Sequence, residues 1–178
     1  MEKTKWVLDL VHSSIEFKIR HLVIATITGQ FRAFSGTMYA HKDDFTDAEF
    51  SIIVDVYSID TNNADRDEHL KSADFFNADY YPEMLLKSHS FVHVEGDHYN
   101  LNTDVTIKGI TKQVTLKTLF GGEAKDGFGT MRAGFDISGV VNRNDYGIHS
   151  NDTTEAGGLV LGEDINVHAY LQFIKQTD

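Results

Sequence analysis

The residues best suited to acid–base or metal chemistry are nine histidines. His89 and His93 stand four residues apart, and His98 follows after a turn at Glu95-Gly96-Asp97. The surrounding residues alternate as in a β-strand, on which positions four apart are separated by ~13 Å. Zinc binds its ligands at only ~2.0–2.1 Å. We therefore interpret these histidines as part of a solvated outer face and predict no metal site.

Residues able to act as nucleophiles give a weak signal. The chain contains no cysteine, and no serine lies in the Gly-x-Ser-x-Gly turn of serine hydrolases. Gly121-Gly122 leads into strand residues rather than a helix, so it indicates a hairpin loop and not a phosphate cradle. We predict no catalytic residue and no cofactor. One alternative stays open, an enzyme acting on a lipid or small molecule with His69 or His12 as the acid–base group.

Two arginines stand among acidic or polar residues. Arg66 lies near Asp67 and His69, and Arg143 lies within the run Asn142–Gly147. Such arginines commonly form structural ion pairs, but they can also bind an anionic group. Arg66, His69 and Arg143 are therefore candidate contacts for the polar head of a ligand.

The elements that must position these groups are mostly strands, because apolar and polar residues alternate with period two through most of the chain. The segment Ile15–Arg20 has one apolar and one charged face. Similar segments are predicted near Phe31–His41, Thr46–Tyr57, Glu83–Glu95, Tyr99–Ile107, Lys112–Phe120, Thr130–Val140 and Ile165–Phe173. About eight strands with short turns predict an all-β fold, a single antiparallel barrel around one small ligand.

Two segments depart from this alternation. Residues 63–76 place Leu70, Ala73 and Phe76 at helical spacing, with acidic residues near the start where the helix dipole favours them. We predict a short helix packed on the barrel there. The segment His21–Thr28 is ambiguous, and we interpret it as a short helical turn between strands.

Composition limits the classes of partner. The 178 residues predict one domain, 1–178, and the net charge of -11 argues against nucleic acid. The longest apolar runs, such as Leu22–Ala25, are far below the ~20 residues of a membrane span. The first residues lack the apolar core of a signal peptide, so we expect a cytoplasmic protein.

Read in order, the chain resembles the YceI-like family of lipocalin-like, polyisoprenoid-binding proteins. The most specific matching runs are Asp104–Thr115 and Arg66–Leu70. Further matches are Trp6, Asp9, His12-Ser13, Phe17, His21-Leu22, Gly29-Gln30-Phe31, Phe34-Ser35-Gly36, Ser58–Thr61, Phe75-Phe76, Tyr81-Pro82, Ser88, Gly134-Phe135, Asn142-Arg143, Tyr146-Gly147 and Gly162. The resemblance implies an eight-stranded lipocalin-like barrel with a helix over it, an isoprenoid in the lumen and frequently a homodimer.

These observations lead to one hypothesis, the binding, storage or transport of a long isoprenoid or other lipid in the barrel lumen. A stress-related lipid scavenger and an interaction protein remain alternatives. The predicted ligand contacts are the inward apolar residues and three aromatic residues after the helix. They are Phe17, Ile19, Phe31, Phe34, Ile52, Val54, Val56, Phe75, Phe76, Tyr81, Leu86, Val105, Ile107, Leu116, Phe135, Ile137 and Phe173.

Overall fold

The structure is a computed structural model that describes residues 2–151 and 160–177. Within these residues there are eleven strands and one short α-helix. The strands are β1 (Thr4–Leu8), β2 (Ser14–His21), β3 (Ala25–Phe31), β4 (Phe34–Ala40), β5 (Glu49–Asp55), β6 (Ile59–Asp60), β7 (Glu83–Glu95), β8 (His98–Ile107), β9 (Ile110–Lys125), β10 (Met131–Asn142) and β11 (Leu161–Lys175). The helix α1 is Ala64–Lys71, and 3-10 turns lie at Leu10–His12, Val56–Ser58 and Arg143–Tyr146.

The eleven strands form eight antiparallel positions of a closed barrel, because three positions contain a broken strand. β1 and β2 both pair with β11, at Leu8↔Phe173 and Ser14↔Tyr170. β3 and β4 together form the second position of the barrel, where β3 pairs with β2 and β4 pairs with β1. β5 and β6 form the third position, where β5 pairs with β4 and β6 pairs with β3. Each remaining strand pairs with its successor through β11, so the predicted eight-stranded barrel is confirmed.

Aspartates hold two of these breaks in place. The carboxylate of Asp9 accepts from the N–H of Val11 at 3.1 Å, and that of Asp55 accepts from the N–H of Tyr57 at 2.9 Å. Each aspartate begins a one-turn 3-10 helix, which bends the strand without opening the sheet.

Of two predictions for non-strand segments, the short helix is confirmed with an earlier end, and the helical turn at His21–Thr28 was wrong. In the segment His21–Thr28, a tight turn at residues 22–24 joins the end of β2 to the first residues of β3, and there is no helical turn. The predicted helix over 63–76 begins as expected but ends at Lys71, because the N–H of Ser72 turns back to the carbonyl of His69 at 3.1 Å. Phe75 and Phe76 therefore lie on the turns that follow the helix, where the N–H of Phe76 donates to the carbonyl of Leu70 at 2.9 Å.

The barrel is filled with aromatic rings at one end. Phe91 stacks on Tyr99 with centroids 4.3 Å apart, and Phe135 meets Phe50 edge-on at 5.2 Å. Phe45, from the loop between β4 and β5, packs 5.8 Å from Phe135. We call this cluster the aromatic floor; its members are Phe45, Phe50, Phe91, Tyr99, Phe120, Phe135 and Phe173. Aromatic pairs in these geometries add about 0.5–1.5 kcal/mol beyond the area they bury.

Asp47 fixes the loop that delivers Phe45 to the floor. Its carboxylate accepts from the backbone N–H groups of His41 and Lys42, both at 3.1 Å, and from the His41 ring. Burial alone would raise the pKa of Asp47, but these hydrogen bonds outweigh it and lower the pKa from 3.8 to about 2. The ionised carboxylate is thus bound more favourably in the folded state than in the unfolded chain.

We predict that Asp47→Asn lowers stability at neutral pH and weakens the loss of stability in acid. A carboxyl with a depressed folded pKa stabilises the protein above its unfolded value of 3.8 and stops doing so as pH falls toward about 2. Denaturant midpoints measured between pH 7 and pH 2 check this. Asp43→Asn, in the same exposed loop, is the matched control and should follow the parent curve; equal pH profiles for all three proteins would contradict the assignment.

Candidate ligand-binding cavity

Above the aromatic floor the barrel encloses a cavity of about 530 Å³. Phe50 is the floor ring that lines it, and Leu101 and Leu171, both buried, form its deepest wall. At the other end it is lined by His69 and Asp74, whose side chains are more than half exposed. The cavity is therefore blind at the floor and open at the end that carries α1. We call that open end the mouth.

The wall between floor and mouth follows the inward positions of the strands. On β11 these positions run from Leu171 to Leu161. Because a bulge between Leu161 and Ile165 opposes only two residues of β2, the stretch rises about as far as eight regular residues, roughly 26 Å along the strand. With the usual strand tilt of about 35–45°, the cavity extends roughly 20 Å along the barrel axis. Its volume lies within the ~300–1,000 Å³ of small-molecule sites. The space suits a long, narrow apolar molecule.

Most of the predicted contacts lie around this cavity. Those that line it are Phe17, Ile19, Phe31, Ile52, Val54, Phe75, Phe76, Leu86, Val105, Ile107, Leu116 and Ile137. Phe17, Phe31 and Phe76 form a chain of ring contacts at 5.5 and 6.2 Å beneath the mouth. Alternation along the strands therefore identified the inward face of the barrel correctly.

Five predicted contacts do not line the cavity. Phe135 and Phe173 face inward, but they lie in the aromatic floor, where other rings cover them. Val56 lies in the 3-10 turn after β5, where it is buried, and Phe34 packs against the barrel core from the start of β4. Tyr81 is partly exposed and lies against Gly109 in the turn between β8 and β9.

Sequence reasoning also missed several lining residues. Phe50, Leu101, Ile165, Val167 and Leu171 all line the cavity. Each is in phase with selected residues on a predicted strand, so the signal that could have identified them was present.

A second group of missed residues has no such signal. Ile59, Tyr146 and Ile148 line the cavity from short strands, turns and loops without a regular period.

Inward glycines let neighbouring side chains lie across the strands. A Cβ on Gly29 would lie 2.3 Å from the ring of Phe17, its partner across β2 and β3. A Cβ on Gly139 would lie 2.4 Å from Leu116. Both wall residues therefore rest flat against a neighbouring strand rather than projecting into the lumen, which keeps the cavity open.

Arg66 lines the mouth through contacts with one threonine. Its Nε donates to the hydroxyl of Thr61 at 2.8 Å, and its Nη2 donates to the Thr61 carbonyl at 2.7 Å. The carboxylate of Asp67 accepts instead from the N–H of Thr61, at 2.8 Å. Among the described residues no carboxylate lies within 4.0 Å of Arg66. Its charge is therefore held at the mouth without an ion pair.

Arg143 is more deeply set. Only 3% of the residue is exposed, and it donates to the carbonyls of Gly162, Ile148 and Ser150 at 2.8–3.1 Å. Burial lowers the pKa of Arg143, although the charge of Glu163 opposes this. Arg143 therefore ties the segment after β10 to the start of β11.

Tyr146, in the same 3-10 turn as Arg143, is a second buried polar residue beside the cavity. It is 1% exposed and lines the cavity, and burial raises its pKa to about 12. Its hydroxyl has no hydrogen-bond partner among the described residues. A buried hydroxyl without a partner costs free energy, so Tyr146 can bind an oxygen or nitrogen of a ligand in the cavity.

The two histidines of the enzymatic alternative have different surroundings. His69 lines the mouth, where its ring bonds Asp74 at 3.0 Å and meets Phe75 edge-on at 5.0 Å. His12 lies outside the cavity, in the turn between β1 and β2, and bonds Asp9 at 2.7 Å.

The carboxylate of Asp9 also accepts from Arg132 at 2.6 Å. Burial alone would raise the pKa of Asp9, but the hydrogen bonds from His12, Arg132 and the N–H of Val11 lower it. His12 thus belongs to a cluster that joins the first strand position to β10.

The remaining histidines of interest lie on the outer surface. The Nε2 of His89 lies 2.9 Å from a carboxylate oxygen of Asp104, and the Nε2 of His93 is hydrogen-bonded to the carbonyl of Gly96 at 2.8 Å. Over residues 2–151 and 160–177 there is no group of three histidine or carboxylate side chains that could hold a metal ion. In the same residues no helix is long and apolar enough to cross a membrane.

Comparison with known proteins gives relatives along the whole chain. Residues 6–173 match the YceI-like domain. A UPF0312 protein of Staphylococcus epidermidis is 37% identical over 171 residues, which cover 96% of this chain and 97% of the relative. A UPF0312 protein of Staphylococcus aureus is 34% identical with the same coverage.

Solved structures share the fold. Burkholderia cenocepacia BcnA superposes with a TM-score of 0.78 at 19% identity, covering 93% of this chain and 98% of BcnA. The Campylobacter jejuni YCEI protein gives 0.75 at 25% identity, covering 89% and 90%. A polyisoprenoid binding domain from Saccharophagus degradans gives 0.74 at 15% identity, covering 96% and 98%. The match from first strand to last, together with relatives above 30% identity, shows that this chain belongs to the YceI-like family.

Proposed function

We propose that the protein binds a long apolar ligand, an isoprenoid or another lipid, inside the barrel for storage or transport. The observation that carries the proposal is the blind apolar cavity of about 530 Å³ that extends from Phe50 to the mouth. Each methylene buried in such a space contributes about 0.8 kcal/mol. A fold neighbour from Saccharophagus degradans is itself named for polyisoprenoid binding, which supports the isoprenoid class.

The polar groups of the mouth support a ligand with one polar end. In the part of the chain that the structure describes, Arg66 has no carboxylate within 4.0 Å and the hydroxyl of Tyr146 has no hydrogen-bond partner. Arg143 is occupied by three backbone carbonyls and supports the wall. We therefore assign head-group binding to Arg66 and Tyr146, with the apolar tail directed toward the floor.

The first test is direct identification of the ligand. Protein purified gently from its own host should release a lipid into organic solvent, detected by mass spectrometry. After delipidation, an added polyprenol at 100 times its dissociation constant should stabilise the protein by about 2.7 kcal/mol, seen as a raised melting temperature. Organic extracts that contain no lipid, together with a melting temperature that polyprenol does not change, would contradict the proposal.

The second prediction concerns tail length. Affinity should rise with each isoprene unit and then level off once the tail reaches the floor. Ala169→Phe fills the lumen one inward step above Leu171, so it should move the plateau to shorter chains. Val140→Phe adds the same ring at an exposed position of β10 and should leave the plateau unchanged. A length series measured by competition binding checks this, and affinity independent of length would place the ligand outside the barrel.

The third prediction concerns the head group. Arg66→Gln should weaken a prenyl diphosphate by about 1.5–3 kcal/mol, the usual value of a hydrogen bond to a charged group, and leave the matching prenol nearly unchanged. Arg32→Gln is the matched control, because Arg32 is already paired with Asp60 at 2.6 Å and does not line the cavity. Equal losses for both ligands in Arg66→Gln would return Arg66 to a purely structural role.

A further inference from the structure

The turn between β2 and β3 exposes three consecutive apolar side chains. Leu22 is 41% exposed, Val23 68% and Ile24 88%. The turn stands at the mouth, since its flanking residues His21 and Ile27 line the cavity. We call residues 22–24 the apolar tip.

The backbone of the apolar tip is strained. Leu22 and Val23 have φ values of 53° and 66°, in the left-handed region that disfavours residues with a Cβ and β-branched residues most of all. Tight hairpin turns of this kind normally contain Asn-Gly. Elsewhere this chain does use glycine at a hairpin turn, as at Gly96 with φ 52°.

Two hydrogen bonds hold this turn, from the N–H of Leu22 to the carbonyl of Val160 at 2.7 Å and from Arg20 to the carbonyl of Val23 at 2.8 Å. Among the described residues, however, the side chains of the apolar tip gain little burial from the strained backbone. Phe45 also has a left-handed backbone, with φ 57°, but its ring is 2% exposed and completes the aromatic floor. Val23 and Ile24 instead point into solvent. Strained backbone conformations cluster at functional sites. The strain and the apolar exposure of the tip together therefore indicate a contact with an apolar partner outside the barrel.

We propose that the apolar tip inserts into the interface of an electrically neutral lipid bilayer and brings the cavity mouth to the membrane surface. The proposal rests on the function proposed above, because a lipid carried in the barrel must enter from a membrane. Apolar side chains beside the mouth would bury themselves among acyl chains there.

The charge distribution fits a neutral membrane. The net charge of -11 repels an anionic surface. At the tip itself, the guanidinium of Arg20 donates to the carbonyl of Val23 at 2.8 Å, so one cation stands at the depth of lipid phosphates.

A second side of the mouth carries another group suited to an interface. The turn between β8 and β9 lies four strand positions away around the eight-membered barrel, opposite the apolar tip. Tyr81, partly exposed, packs against Gly109 in that turn. Tyrosine is enriched where membranes meet water, so the mouth can face the bilayer on both sides.

A bilayer fits the apolar tip better than a protein partner does. A stable protein interface buries about 800 Å² on each side, which three side chains on a narrow turn cannot supply. A second copy of this chain would also bring a second charge of -11. A bilayer needs no such matching surface, because the three side chains can be buried by inserting the tip among the acyl chains.

The main test compares vesicle binding with stability. Leu22→Asn/Val23→Gly supplies the residues that the turn geometry favours, so this variant should melt at a higher temperature than the parent. Its binding to phosphatidylcholine vesicles, measured by flotation, should fall by about tenfold. Phe128→Ser removes a side chain that is 98% exposed in the turn between β9 and β10, at the opposite end, and should bind vesicles like the parent.

A fluorescence measurement locates the contact. Trp6 is the only tryptophan and is 3% exposed, so it should not respond to vesicles. Val23→Trp should shift to shorter emission wavelength on phosphatidylcholine vesicles and be quenched by brominated acyl chains. Phe128→Trp, the matched control at the closed end, should do neither.

The outcomes separate docking from ligand binding. Polyprenol delivered from detergent should bind the tip variant as tightly as the parent, whereas transfer from vesicles should slow by about tenfold. Equal vesicle binding by parent and tip variant overturns the docking proposal, as does a tip variant that changes only the oligomeric state in sedimentation. A parent protein that binds vesicles through the tip but takes up no polyprenol supports docking and removes the proposed function.

Discussion

The interior of a closed barrel has a fixed width, and the side chains on its inward positions must either fill that width or leave it empty. At the closed end, rings such as Phe135 and Phe50 meet at about 5 Å and leave no space for a ligand. Between the floor and the mouth many inward positions hold aliphatic residues, and Phe17 and Leu116 lie flat over Gly29 and Gly139 instead of filling the lumen. The cavity is thus a consequence of how side-chain volume is distributed along the barrel axis. An occupant restores the dispersion contacts that the empty wall lacks.

Period-two alternation predicts which face of a strand is inward, but not how far along the axis a residue lies. Phe135 and Phe173 were therefore expected in the wall, although they lie in the floor. Depth depends on the register between strands, which pairs Phe135 with Leu171 and Ile137 with Ala169. Register is a long-range property that no local pattern contains.

Other elements were misjudged because local signals competed. The turn at residues 22–24 could not be recognised from the sequence, because turns are usually marked by glycine, asparagine or aspartate and this one consists of apolar residues. Leu70, within α1, and Phe76, beyond its end, keep helical spacing because both pack against the core, although their backbone conformations differ. The hydrogen bond from Ser72 to His69 ends the helix, and a serine at that point gives only a weak signal.

The two arginines show how similar sequence contexts lead to different roles. Both lie among acidic residues in sequence, yet neither has a carboxylate within 4.0 Å among the described residues. Arg143 is held by backbone carbonyls, which stabilise the charge without neutralising it and fix the wall. Arg66 is held by Thr61 alone and remains partly exposed. The cavity lining also contains the carboxylates of Glu16 and Asp74, so the two arginines place positive charge at particular points of the lining rather than making it positive as a whole.

The two ends of the barrel treat the same kind of backbone strain in opposite ways. At the closed end the cost of the left-handed backbone at Phe45 is offset within the protein, because the Phe45 ring fills the floor and Asp47 fixes its loop. At the mouth the left-handed Leu22 and Val23 direct their side chains outward. A turn selected only for stability would replace them with asparagine and glycine, which adopt this conformation at little cost. Strain combined with apolar exposure at the mouth therefore supports a role in the state in which the barrel exchanges its contents, where an apolar surface outside the protein would bury those side chains.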